Sequence, residues 1–120
     1  MSFALDERLA RDALVVGDLP FSRVLLMNDA RWPWIGAADR ALLIEEAARA
    51  ALFLKAYAEA DKINVGALGN VVRQFHLHIV ARAIGDVGWP GPVWGHGAAT
   101  PYDEAKARAH ITAARAGLGI

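Results

Sequence analysis

Gly69-Asn70-Val71-Val72-Arg73-Gln74-Phe75-His76-Leu77-His78-Ile79-Val80-Ala81-Arg82 is the stretch on which the reading of this chain turns. Phe75, Leu77, Ile79 and Ala81 are apolar; Gln74, His76, His78 and Arg82 stand between them, with Val80 as the exception. Strand side chains point to opposite faces with period two. The stretch therefore predicts a strand whose apolar residues meet a core while Gln74, His76 and His78 share the other face. Along that face they are spaced by about 6.6 Å. Imidazole is both nucleophile and proton carrier near neutral pH, which makes the pair a candidate site.

The chain has 120 residues, enough for a single domain over residues 1–120 with one core. Hydrophobic residues make up 55%, as in packed globular proteins. Lys plus Arg equals Asp plus Glu, so nothing suggests a long basic surface for duplex nucleic acid. Cysteine is absent, which excludes disulfides, thiolate metal sites and cysteine nucleophiles and fits a cytoplasmic protein. The first residues carry early acids and no apolar segment of a secretory signal. No stretch reaches the roughly 18 uncharged apolar residues of a membrane span.

Working outward, Asp6 to Ala13 reads as a short helix, with Leu5, Leu9 and Ala13 on one face. Leu14–Val16 and Arg23–Met27 read as strands separated by Gly17, Asp18 and Pro20. Trp32-Pro33-Trp34 is extended, because a residue before proline leaves the α region. Asp39 to about Lys62 predicts the longest helix, capped by Asp39. Leu42, Leu43, Ile44, Ala47, Ala50, Ala51, Leu54 and Ala58 form a stripe broad enough for burial on two sides, which suggests a homodimer. Glu45, Glu46, Arg49, Lys55 and Glu59 read as its solvated face. Ile63–Leu68 predicts another strand, turning at Gly69-Asn70 into the histidine strand. The Gly-, Pro- and Trp-rich run from Gly85 to Gly97 reads as an ordered loop. A last helix is expected from a Thr100 cap, with Pro101 in its first position, to a stop at Gly117.

Gln74-Phe75-His76-Leu77-His78-Ile79-Val80 resembles the signature of the histidine-triad (HIT) nucleotide hydrolases and transferases, His-φ-His-φ-His-φ-φ with φ apolar, except that Gln74 stands at the first histidine. Asn64-Val65-Gly66, Gly69-Asn70 and the run Trp89-Pro90-Gly91-Pro92-Val93-Trp94-Gly95 extend the likeness, the last resembling a bacterial branch of the family. Asn28-Asp29-Ala30-Arg31-Trp32-Pro33-Trp34 resembles the end of its nucleoside-side strand. The resemblance implies an α+β fold, an antiparallel sheet with packed helices, and two-fold dimers. It departs after Trp34: where the family continues with a strand, Trp34-Ile35-Gly36 passes almost at once into the long helix, which leaves room for a sheet one strand shorter.

The resemblance also implies the chemistry. His76, at the middle histidine, would attack the α-phosphorus of a nucleoside phosphate and form a covalent nucleotidyl-histidine, with no cofactor. A neutral imidazole attacks with one lone pair, and its other nitrogen must donate to a group that holds the ring. His78 would contact phosphate oxygens or the leaving group. Gln74 can hydrogen-bond a leaving group but cannot protonate it, and general acid catalysis contributes roughly 10²–10⁴-fold. Asn28 matches the ribose contact, and Asn64 shapes the pocket. The turn around Gly69 and Asn70 offers phosphate its backbone N–H groups, and Arg73 and Arg82 could add positive field. Other readings of the same residues stand beside this one. The histidines could be structural; the chain could bind nucleotide without turnover, which Gln74 makes credible; or His76 and His78 could hold a catalytic metal, with Asp86 or His96 as third ligand. His96 and His110 read as ordinary loop and helix-surface residues, and the four tryptophans as core or interface.

Overall fold

The computed structural model describes residues 4–38 and 43–120, so the expected cap at Asp39 and Leu42 of the stripe lie outside the described residues. Those described form helices α1 (Glu7–Asp12), α2 (Leu43–Tyr57) and α3 (Glu104–Leu118), and strands β1 (Ala13–Asp18), β2 (Arg23–Met27), β3 (Trp34–Ala38), β4 (Lys62–Gly66) and β5 (His76–Arg82). The sheet runs β1-β2-β3-β5-β4, antiparallel at every pairing. This is the expected α+β architecture. No described helix is long and apolar enough to cross a membrane.

The sheet is not missing a strand after Trp34. β3 is there, between β2 and β5 in the middle of the sheet. Its Gly36-Ala37-Ala38 half carries little strand propensity, and only pairing on both sides holds it extended. Other boundaries also move. α2 stops at Tyr57 rather than near Lys62 because Glu59 turns the chain at φ 50° and Asp61 N–H already donates to the Arg82 carbonyl. β5 begins at His76, and residues 67–75 are a loop, so Phe75 is 52% exposed rather than core. α3 is capped by Asp103, whose carboxylate accepts from Lys106 N–H at 2.8 Å. Thr100 lies ahead of the helix, which starts at Glu104, and its backbone is tied elsewhere: its N–H donates to Asp29 and its carbonyl accepts from Ala30. The helix passes through Gly117 and ends at Gly119, left-handed at φ 72°.

Both faces of the sheet are covered. Val24, Leu26, Ile35, Ile79 and Ala81 meet Ala47, Ala50 and Leu54 of α2 and Ala114 and Leu118 of α3 in the main core. On the opposite face Leu9 of α1 packs on Ala13, Leu25 and Met27. Beside it Trp32, Val80 and Val93 form a third cluster, joined by Trp34 and Trp94. Glu46 does not belong to a solvated helix face: it is buried and accepts from Ser22 Oγ and Phe21 N–H.

Gly117 lets α3 approach α2, since a Cβ there would overlap the Phe53 ring. Gly117→Ala should therefore lower the urea midpoint, although alanine is the better helix former by about 1 kcal/mol. In a Phe53→Ala background the same change should raise it; equal effects in both backgrounds would exclude this contact.

Candidate active site

Directly paired residues of antiparallel strands share a face. Leu25, Gly36, His78 and Gly66 therefore form one row across β2, β3, β5 and β4. Trp34, Val80 and Asn64 form the next, and Ala38 pairs with His76. His78 thus lies between two glycines. On the Gly66 side the gap is filled by Trp94, since a Cβ at Gly66 would come within 2.8 Å of its ring. The polar face of β5 is not solvated as the alternation alone implies: His76 is 7% and His78 5% exposed.

Buried imidazoles need partners, and the two rings find different ones. His76 Nδ1 lies 2.6 Å from the carbonyl oxygen of Gln74. A carbonyl only accepts, so Nδ1 carries the proton and Nε2 keeps its lone pair. His78 Nδ1 lies 2.8 Å from the indole Nε1 of Trp34, which only donates, so here Nδ1 is the acceptor and the neutral ring is protonated at Nε2. The rings stand nearly perpendicular with centroids 4.8 Å apart. Trp34 and Trp94 meet His78 edge-on at 5.3 and 5.9 Å. Burial, then the nearby charge of a protonated His76, pushes the His78 pKa down from 6.5 to about 4.

The other expected site residues divide. Gln74 is adjacent to His76, but its amide is not free: Oε1 accepts from Asp6 N–H and Nε2 donates to the Ala4 carbonyl, both at 2.7 Å. It ties the chain ahead of α1 to the start of β5. Asn28 follows β2, accepts from Tyr102 N–H at 3.0 Å, and lines a cavity of about 320 Å³ together with Asp29, Arg31, Trp34, Trp94 and His96. Asn64 accepts from Arg82 Nη1 at 2.9 Å. Gly69 and Asn70 lie exposed on the loop before β5.

Arg82 is no free source of positive field. It is 2% exposed, forks onto both oxygens of Asp86 at 2.7 and 2.9 Å, and donates to Asn64 and the Gly91 carbonyl. Its guanidinium holds the Asp86 carboxyl far below the usual carboxylate range. Asp86, offered as a metal ligand, is consumed by this pair, and the His96 ring meets Trp32 at 5.7 Å. Among the described residues no three His, Cys, Asp or Glu side chains converge as a metal-binding group. His110 is not an ordinary surface histidine, since its Nδ1 lies 2.6 Å from the Tyr57 hydroxyl. Sequence reasoning missed Trp34 and Trp94 as site walls. Trp34 could be foreseen only through its pairing with β5, which the absent-strand reading concealed.

A five-stranded antiparallel sheet thus carries two neighbouring buried histidines, held in opposite tautomers, on one covered face. The sequence matches no family model and no curated protein. Solved structures do match. A histidine triad (HIT) protein from Sinorhizobium meliloti is 40% identical, with TM-score 0.92 over 97% of each chain. A histidine triad protein from Bradyrhizobium japonicum is 35% identical, with TM-score 0.93 over 98% of this chain and 99% of that one. A third, from Marinobacter aquaeolei, is 36% identical, with TM-score 0.93 over 98% and 96%. The chain belongs to the histidine triad family.

The His78 shift sets a stability window. Folded, His78 takes a proton only near pH 4; unfolded, near 6.5. Between these values the unfolded chain binds more protons, so stability falls as pH drops from 6.5 towards 4. The loss from this one group is on the order of 3 kcal/mol. Urea unfolding at pH 7 and pH 4 should show wild type losing more stability than His78→Gln, because every other group is common to both. Equal losses would refute the depressed His78.

Proposed function

We propose that the protein hydrolyses or transfers at the α-phosphate of a nucleoside phosphate, a dinucleoside polyphosphate or a phosphoramidate, with His76 as nucleophile. The observation that carries this reading is the orientation of His76, whose Nδ1–H donates to the Gln74 carbonyl and leaves the Nε2 lone pair for attack. As Nε2 bonds to phosphorus, the bond to the leaving group breaks and that group departs with the electron pair. The ring becomes cationic, and the Gln74 carbonyl on Nδ1–H stabilises the charge. Water or another acceptor then attacks phosphorus and frees His76. His78, as an Nε2–H donor, hydrogen-bonds a phosphate oxygen where negative charge develops. Asn28 and the cavity beside Trp34 and Trp94 take the nucleoside, Asn64 supports the wall through Arg82, and the Gly69-Asn70 turn borders the phosphates. The scheme calls for no cofactor or metal, and its setting is the cytoplasm.

His76→Ala should abolish turnover while the fold and much of the nucleotide affinity persist, since deleting a nucleophile removes transition-state stabilisation. Rapid quench and mass spectrometry should find an acid-labile nucleotide adduct on the wild type and none on the variant. Near wild-type turnover by His76→Ala would exclude the mechanism. The tethered Gln74 amide favours a second reading, nucleotide binding without turnover, which saturable binding with neither adduct nor product would establish.

The proposal also takes the protein as a homodimer. Ile44 and Leu52 of α2 are 77% and 73% exposed in the single chain, and a second copy would cover them. Sedimentation at micromolar concentration should give twice the chain mass; a monomer refutes this part.

A further inference from the structure

We propose that Trp34 is a positioning residue that holds His78 as a donor only, and that the site therefore selects phosphoanhydride substrates over phosphoramidates. The inference rests on the preceding reading of His76 and goes further, to substrate class.

Trp34 opens β3 and lies one row from His78, with its indole N–H 2.8 Å from His78 Nδ1. The residues beside His78 leave that nitrogen no competing partner of its own row, since Gly36 and Gly66 flank it. Trp94 closes over Gly66 and meets both rings edge-on. While the indole N–H occupies Nδ1, His78 has one proton, at Nε2. Delivering that proton to a leaving group would leave an imidazolate, which is inaccessible near neutral pH. Starting instead from imidazolium would place a second N–H on Nδ1, pointed at the indole N–H. The depressed basicity of the buried ring accords with this geometry. His78 can thus donate a hydrogen bond but not transfer a proton.

Gln74 cannot compensate. An amide is no acid, and both of its polar atoms are engaged on Ala4 and Asp6. Neither neighbour of His76 on its face then supplies a proton. When a phosphoanhydride is attacked, the Nε2–P bond forms, the P–O bond breaks, and phosphate leaves as an anion that needs none. When a phosphoramidate is attacked, the P–N bond breaks and the amine must acquire a proton.

Two measurements test this on the intact protein. The first, ¹⁵N-detected histidine NMR without substrate, is independent of turnover. His78 should appear as the Nε2–H tautomer in wild type and as a tautomer mixture in Trp34→Phe, which keeps a ring but has no N–H. The second compares kcat/KM for an adenosine polyphosphate and an adenosine phosphoramidate. Wild type should favour the anhydride by about 10²-fold or more, the scale of a missing general acid. Trp34→Phe should narrow that ratio by freeing Nδ1 for protonation; a merely structural loss would lower both rates alike. An Nδ1–H tautomer in wild type, or an unchanged tautomer in Trp34→Phe, overturns the role of Trp34. Equal wild-type rates on both substrates overturn the selectivity. If wild type turns over neither substrate, the selectivity falls with the proposed reaction, while the NMR result still decides what Trp34 does.

Discussion

β5 has two faces and both are covered, so every polar side chain on it must find a partner inside the protein. Burying an unpaired polar group costs several kcal/mol, and burying a charge costs more. His76 donates to a carbonyl two residues back, His78 accepts from an indole on the next strand, and Arg82 is enclosed by Asp86, Asn64 and the Gly91 carbonyl. These partners also restrict what each group can do. The carbonyl leaves His76 a lone pair, the indole leaves His78 a proton, and the carboxylate leaves Arg82 no free charge.

The Arg82 cluster connects packing to the site. Arg82 ends β5, Asn64 lies on β4, and Asp86 and Gly91 belong to the loop that follows. Removing one partner of such a buried pair costs about 3–5 kcal/mol because it strands the other. The pair therefore holds the loop in one position. That loop carries Val93 into the third cluster and Trp94 across Gly66, beside His78. A second tie runs from Asn28 and Asp29 to Tyr102 and Thr100, closing the far end of the same loop against β2. The histidines lie in an enclosure whose walls come from segments distant in the chain.

Gln74 has a comparable double role. Its carbonyl orients His76, while its side chain fastens the segment ahead of α1 by two hydrogen bonds. The backbone group fixes the His76 ring, and the side chain builds structure around it. The sequence alone points the side chain at a leaving group, because an amide beside two imidazoles offers no sign of a strand-distant backbone to bind.

Local pattern was enough to determine the strand at Leu77–Ala81, the placement of Ile79 and Ala81 in a core, and the pairing of His76 with His78 on one face. Each follows from side-chain alternation and propensity, which act between near neighbours in the chain. The existence of β3, the burial of the histidine face and the partners of His78, Gln74 and Arg82 were decided by tertiary structure. Gly36-Ala37-Ala38 becomes a strand because β2 and β5 supply its hydrogen bonds, a reason absent from those residues themselves. Alternation says that a face is polar, but not whether α1 and a tryptophan loop will cover it. The tautomer of His78 depends on an indole 44 residues away, and no spacing within the motif encodes that contact.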